Sequence, residues 1–319
     1  VNVQTESEYE DLLSLWSDLE AGLAVVLASP SSVQEFQLRV WQYDRWMQDL
    51  LQRDADVGLY LLFQLATNSS VGYSASHALV CAVLCHLIAV ELNLDQGERD
   101  SLVHAAFTMN IGMTELQDEL ANQLEKPSPM QQDAIRAHPV KGGMVLANLG
   151  ILDGLWLDIV TSHHNDLIDK GELWQVAPAV RLARIVHVVD RYAAMISPRK
   201  NRVGRTASDS VRSIINDAGD QSDLIGHSLV RTVGLFPPGT YARMDIGDIA
   251  VVMRRSSKPN HPHVAIVLNA VGELLPQPRL HRTAQGDPQI RSALLASSVR
   301  ARLNHHLVLQ LGAYAAQQP

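Results

Sequence analysis

"HALVCAVLCHLIAVELNL", His77–Leu94, is the stretch whose reading decides the fold. Apart from His77, His86, Glu91 and Asn93 every position is apolar, and no glycine or proline interrupts the run. A helix that is apolar all round has no solvent face and belongs inside a bundle. A polar break, "TNSSVGYSAS" (Thr67–Ser76), precedes it with good N-cap candidates, and Asp95 and Gly97 punctuate its end. Its most apolar part, Ala78–Val90, is too short for a membrane span and carries His86.

Helical patterning continues on both sides. "YEDLLSLWSDLEAGLAVVL" and "VQEFQLRVWQYDRWMQDLLQ" place apolar residues three and four apart, with Trp16, Trp41 and Trp46 expected at helix interfaces. "ERDSLVHAAFTMNIGM", "QQDAIRAHPVKGGMVLANLG", "GLWLDIVTSHH" and "PAVRLARIVHVVDRYAAMIS" read as further helices, the last opened by Pro178. After "VGLFPPGTY" the texture changes. "TYARMDIGDIAVVMRRSS" and "HVAIVLNAVGELL" are β-branched, alternating and broken by turn residues, which predicts a small β unit. A terminal amphipathic helix is expected from about Pro288 to Ala315. The expectation is an all-α helical bundle with a small C-terminal β-rich extension and a terminal helix. Its regions are 1–69, 70–235 and 236–319.

The composition narrows function. An apolar fraction of 46% over 319 residues supports a sizeable core. The formal charge of −8 argues against a nucleic-acid binder. From Pro276 onward, five arginines face one acid, Asp287, a local +4 that leaves −12 on the rest. Such a basic tail can dock on an acidic partner or on its own body, or form a solvated helix face. Cys81 and Cys85, the only cysteines, fall on one helix face and read as small buried hydrophobes, in keeping with a reducing cytoplasm. The acidic N-terminal stretch lacks the layout of a secretion signal.

Chemistry concentrates in a few of the thirteen histidines. His77 opens the buried helix, His138 begins "HPVKGG", and His163 and His164 end another helix in "TSHHNDLIDKG" (Thr161–Gly171). Asp190 sits inside the apolar "RIVHVVDRYAAM", where a carboxylate is costly unless paired or bound to a cation. Imidazoles and carboxylates from separate helices of a bundle are the usual way to build a metal site in an all-α core. His187, three residues before Asp190, is a candidate partner for that aspartate.

In order and wording, His77, "AAFTMNIG", "KPSPMQQDAIRAHPVKGG", the HH pair and "VVDRYAAMISPRKNR" resemble the HD-GYP branch of the HD-domain metal phosphohydrolases. The resemblance covers roughly Ser70–Val233, and "GLFPPGTYARMDIGDIAVV" resembles the β extension that often trails the domain. It implies an all-helical domain related to enzymes that hydrolyse cyclic di-GMP with two or three metal ions. The family's metal ligands then fall on His77, His138, His163, His164 and Asp190. Its His-Asp pair falls on Met109 and Asn110, the glutamate of three-metal members on Tyr73, and the lysine after the pair on Met113. No Gly-Tyr-Pro tripeptide follows the HH pair. "SPRKNR" matches the family's basic loop and places Arg199 and Arg202 where phosphate-contacting cations lie; an exposed basic turn is the alternative.

Two metal ions some 3.5–4 Å apart need a bridging anion, which neither a neutral Asn110 nor a soft Met109 supplies. His77 and Asp190 are then a remnant of one site. His138, His163 and His164, with Asp166 or Asp169 within reach of the loop, keep enough for a single zinc, iron or manganese ion. The expectation is a catalytically degenerate cytoplasmic signalling protein. It would bind cyclic di-GMP or a partner such as a diguanylate cyclase, with neither nucleic acid nor membrane involved. A weak mononuclear phosphodiesterase and a structural dimerisation module with an empty cleft are the alternatives.

Overall fold

The computed structural model describes residues 3–68, 72–165, 171–218 and 223–318. Asp166 and Asp169 lie outside the described residues.

The buried run becomes α3 (Tyr73–Glu91), and the rest of the helical part wraps it. Along the chain come α1 (Val3–Ala28), α2 (Phe36–Asn68), α3, α4 (Gln96–Thr108), α5 (Thr114–Asn122) and α6 (Pro129–Asn148). Then follow α7 (Gly154–Ser162), α8 (Pro178–Ile196), α9 (Ala207–Asp217) and α10 (Leu224–Val233). By length and composition α3 could cross a membrane, contrary to the expectation that no run is long enough. It is instead the central helix of the bundle, with every residue from Tyr73 to Cys85 buried. One apolar core joins α1 and α2 to α3, α4, α7 and α8, and Trp156, Phe107 and Tyr192 are fully enclosed in it. Trp16 fills a helix interface as expected, but Trp41 is 46% exposed with Arg45 over its ring.

Helix starts follow local chemistry. Asp95, Asp153, Thr206 and Asp223 each accept a first-turn amide hydrogen bond, and Ser128 with Gln131 forms a capping box ahead of α6. α2 is two helices joined at Asp54, whose backbone is extended (φ −161°, ψ 99°). Asp54 Oδ1 accepts from the amides of Asp56 and Val57, so it caps the second half.

A buried polar knot ties α2 to α4. The Arg99 guanidinium grips both oxygens of Asp44 at 2.5 and 2.6 Å, and His104 Nε2 adds a contact at 2.9 Å. Arg99 Nε donates to His86 Nδ1 at 3.0 Å. Burial alone would raise the Asp44 pKa, but these partners hold it far below the usual carboxylate range.

The C-terminal part is a five-stranded antiparallel sheet in the order β4-β3-β2-β1-β5. Its strands are β1 (Tyr241–Met244), β2 (Ile249–Arg254), β3 (His263–Leu268), β4 (Leu274–Arg282) and β5 (Ile290–Leu294). The single helix expected from Pro288 is therefore corrected: that segment begins as β5, and α11 covers only His305–Gln317. "QIRSALLA" satisfies both a short alternation and a helical stripe, and pairing with β1 selects the strand. The basic tail meets an acid of its own body at Arg279, while Arg291, Arg300 and Arg302 are exposed to solvent. Arg279 faces Asp248 at 3.4 Å, and Arg282 donates to the Gln318 carbonyl at 2.9 Å. Arg254 and Arg255 clamp Asp54 and Asp56 of α2 at 2.9 and 2.7 Å. Gly239 lies against α2 with φ +85°, and a Cβ there would sit 2.4 Å from the Tyr60 carbonyl. Sheet and bundle therefore meet along α2.

Candidate metal and phosphate site

Four helices deliver the site residues to one place. α3 brings His77 on its first turn, α6 brings His138, the end of α7 brings His163 and His164, and α8 brings Asp190. Two groups result: His138, His163 and His164, and His77, Cys81 and Asp190, with ligand atoms in each group within 4.8 Å of one another. Asp190 joins them. Its Oδ1 lies 2.7 Å from His77 Nε2 and its Oδ2 lies 3.4 Å from His164 Nε2. Burial would raise its pKa, yet the His77 hydrogen bond and the surrounding imidazoles keep it well below the usual range, so it is an anion.

The pairing of His138 with His163 is chemically specific. The Nδ1 of His138 is 2.5 Å from the Ile135 carbonyl, and the Nδ1 of His163 is 2.6 Å from the Val160 carbonyl. A carbonyl only accepts, so in each ring the Nδ1 carries the proton and Nε2 is left with a lone pair. Those two Nε2 atoms face each other at 3.3 Å. Two lone pairs so placed repel unless a proton or a cation lies between them. A proton is disfavoured: burial, reinforced by His164, pulls the His163 pKa down to about 3, and burial also lowers that of His138. A metal ion between the two Nε2 atoms would relieve this repulsion. Backbone carbonyls behind both rings are the usual support that fixes the tautomer of metal-bound histidine. The donor set therefore fits one divalent ion.

A second ion meets a poorer environment. Met109 is 1% exposed and belongs to the apolar core. Asn110 Oδ1 is buried without a hydrogen-bond partner. Tyr73, where three-metal relatives are expected to carry glutamate, stacks on His77 with ring planes 13° apart and centroids at 5.4 Å. Its hydroxyl and His77 Nδ1 are likewise buried and unpartnered. Met113 closes a short 3-10 turn at Ile111–Met113 and is half-buried. Among the described residues, these groups contain a single carboxylate, Asp190.

Two readings are corrected here. His187 does not pair with Asp190; its Nδ1 donates to the His163 carbonyl at 2.9 Å and so braces the HH turn. Cys81 is more than a filler. One turn beyond His77 on the same face, its Sγ lies 3.6 Å from His77 Nε2. Burial, with Asp190 nearby, pushes the thiol pKa well up, so the group is neutral. The i, i+4 spacing in "HALVC" was the available signal.

The basic loop after α8 is tightly built. Arg199 and Arg202 exchange backbone hydrogen bonds at 2.8 and 3.0 Å, and the Lys200 amide donates to the Ala121 carbonyl. Gly204 passes so close that a Cβ would meet the Ile196 carbonyl at 2.5 Å. The Arg199 guanidinium lies 5.6 Å from the centroid of the Tyr73 ring. Arg202 donates to the Ala194 carbonyl at 2.6 Å. Both arginines also border a cavity of about 520 Å³ that none of the site histidines lines.

Comparison with known proteins identifies relatives of this chain. A cyclic di-GMP phosphodiesterase of Pseudomonas aeruginosa, PA4108, is 26% identical over 254 residues, 77% of this chain. The chain spans 57% of that relative's length. Among solved structures, Bd1817, an HDG"Y"P protein from Bdellovibrio bacteriovorus, shares the fold with a TM-score of 0.51. It is 14% identical, with 67% of this chain and 69% of that one covered. The family model described as HD domain matches residues 62–224, half of the chain, which contain all the metal-ligand candidates and the basic loop. The chain belongs to the HD domain family.

Proposed function

We propose that this chain is a cytoplasmic cyclic di-GMP signalling protein that binds a single divalent ion and engages the dinucleotide without hydrolysing it efficiently. The observation that carries the reading is the 3.3 Å approach of the His138 and His163 lone pairs, which calls for one cation between them. His164 completes a three-imidazole donor set suited to Zn²⁺, Fe²⁺ or Mn²⁺, with the Asp190 anion 3.4 Å from it. When bound, such an ion supplies Lewis acidity toward a phosphate oxygen. The residues themselves hold it, with the carbonyls of Ile135 and Val160 fixing two rings and His187 bracing the turn of the third.

Hydrolysis by two ions is not supported by this charge balance. Asp190 is one negative charge against +4, with both of its oxygens already engaged. Cyclic di-GMP as the ligand class rests on the relative that acts on it. Slow hydrolysis with one ion is a second reading, favoured by the intact trio of imidazoles.

Elemental analysis of the purified chain should find one transition-metal ion per protein, lost in His163→Ala. Turnover of cyclic di-GMP with added Mn²⁺ or Fe²⁺ should stay at background. Two ions per chain, with metal-dependent turnover abolished in His164→Ala, would replace this reading with that of a working phosphodiesterase.

A further inference from the structure

The cavity of about 520 Å³ lies between the bundle and the sheet, formed by three stretches far apart in sequence. One wall is the basic loop, Pro198–Ala207; another is Thr67 and Asn68 at the end of α2; the third is Ala293–Ser297 with Tyr241 and Leu235. Arg199, Lys200, Arg202 and Arg205 border it, and no carboxylate does. Among the described residues none of these four cations makes an ion pair. Arg199 Nε is buried without a partner, and Arg205 reaches only the Met195 sulfur, at 3.8 Å. Burial, with Arg199 and Arg205 nearby, pulls the Arg202 pKa down, as expected of cations crowded together without an anion.

A second feature acts in the same sense. Thr206 and Ala207, the cap and first residue of the eleven-residue α9, line the same space. Helix N-termini carry partial positive charge and free amides that suit phosphate. The apolar residues Ile196, Val203, Leu235, Tyr241 and Leu294 line the space together with the polar Thr67, Asn68, Thr240 and Ser297. A volume of this size matches pockets that take ligands larger than a bare ion.

We infer that this cavity is a nucleotide-binding site separate from the histidine site, with the phosphate held by Lys200, Arg205 and the start of α9 and the base against the apolar wall. The inference does not depend on the function proposed above. The ligand is a nucleotide rather than simple phosphate because cationic groups occupy only one side of the space.

Calorimetric titration of GMP, cyclic di-GMP and pyrophosphate into the full chain tests it. At least one nucleotide should bind more tightly than pyrophosphate. Its Kd should rise at least tenfold in Lys200→Ala, in Arg205→Ala and in the cavity-filling Ala293→Trp, and stay unchanged in His164→Ala. Lys200 and Arg205 are exposed, so those two variants keep the fold. Failure of both nucleotides to bind, pyrophosphate binding as tightly, or unchanged affinity in the two cation variants would each overturn it. Loss of binding in His164→Ala alone would place the nucleotide at the histidines, rejecting this site while upholding the proposed function.

Discussion

At the scale of single residues, charge decides how many ions the histidine site can hold. Asn110 is neutral, its Oδ1 is buried and unpartnered, and Met109 fills core. Replacing them together, Met109→His with Asn110→Asp, supplies a nitrogen ligand and a second anion. The expected outcome is a rise from one bound ion to two, read by elemental analysis. A stoichiometry that stays at one would show that Tyr73, stacked on His77, rather than the missing carboxylate blocks the second position. The ligand residues were legible in the sequence because each stands out against an apolar helix or a helix end. The role of His187 was not, since it depends on where the neighbouring α7 presents a carbonyl, whereas for Cys81 the i, i+4 spacing from His77 was the signal.

At the scale of elements, the polar knot between α2 and α4 is the most vulnerable joint. Asp44 is 1% exposed and carries the only negative charge that Arg99 meets in the interior; its other carboxylate, Asp100, is half-exposed. Asp44→Asn keeps the shape and removes the charge, leaving the buried guanidinium, among the described residues, only the partly exposed Asp100 as a carboxylate partner. Urea unfolding should register a loss of about 3–5 kcal/mol, the usual cost of breaking one side of a buried pair. A loss under about 1 kcal/mol, the scale of an exposed pair, would mean water reaches Arg99. The helices themselves could be read from periodicity, caps and the absence of breakers. The final segment could not. Ile290–Leu294 takes its strand form from pairing with β1, a partner some 50 residues away in the chain.

For the whole molecule, acid sensitivity follows from the same knot. Burial, with Arg99 beside it, lowers the His86 pKa from its ordinary 6.5 to about 4. Between those values the unfolded chain binds a proton that the folded chain refuses, so stability rises with pH across this window. The contribution is complete above 6.5 and is lost as pH falls toward 4. Its slope reaches at most about 1.4 kcal/mol per pH unit for this one proton. His86→Gln should lower the slope of the stability profile between pH 6.5 and 4 by up to about 1.4 kcal/mol per pH unit, leaving the part due to His163 and His138, measured by urea unfolding at each pH. An unchanged profile would assign the acid loss to other groups. Below that window Asp44 takes over, since its depressed pKa keeps its stabilising charge until the pH falls further. The bundle-plus-sheet architecture was legible from the change in texture after "VGLFPPGTY". The cavity was not, because nothing local marks Thr67, Arg205 and Leu294 as neighbours.

Arg199 borders the cavity while its guanidinium caps the Tyr73 ring, and Tyr73 in turn lies flat on His77. An occupant that draws this arginine toward itself uncovers the ring and alters the electrostatic field at Asp190. Thermodynamic reciprocity then fixes the return effect: the factor by which such an occupant changes cation affinity is the factor by which a cation changes the occupant's own. Tyr73 thus contacts both Arg199 on the cavity side and His77 on the histidine side.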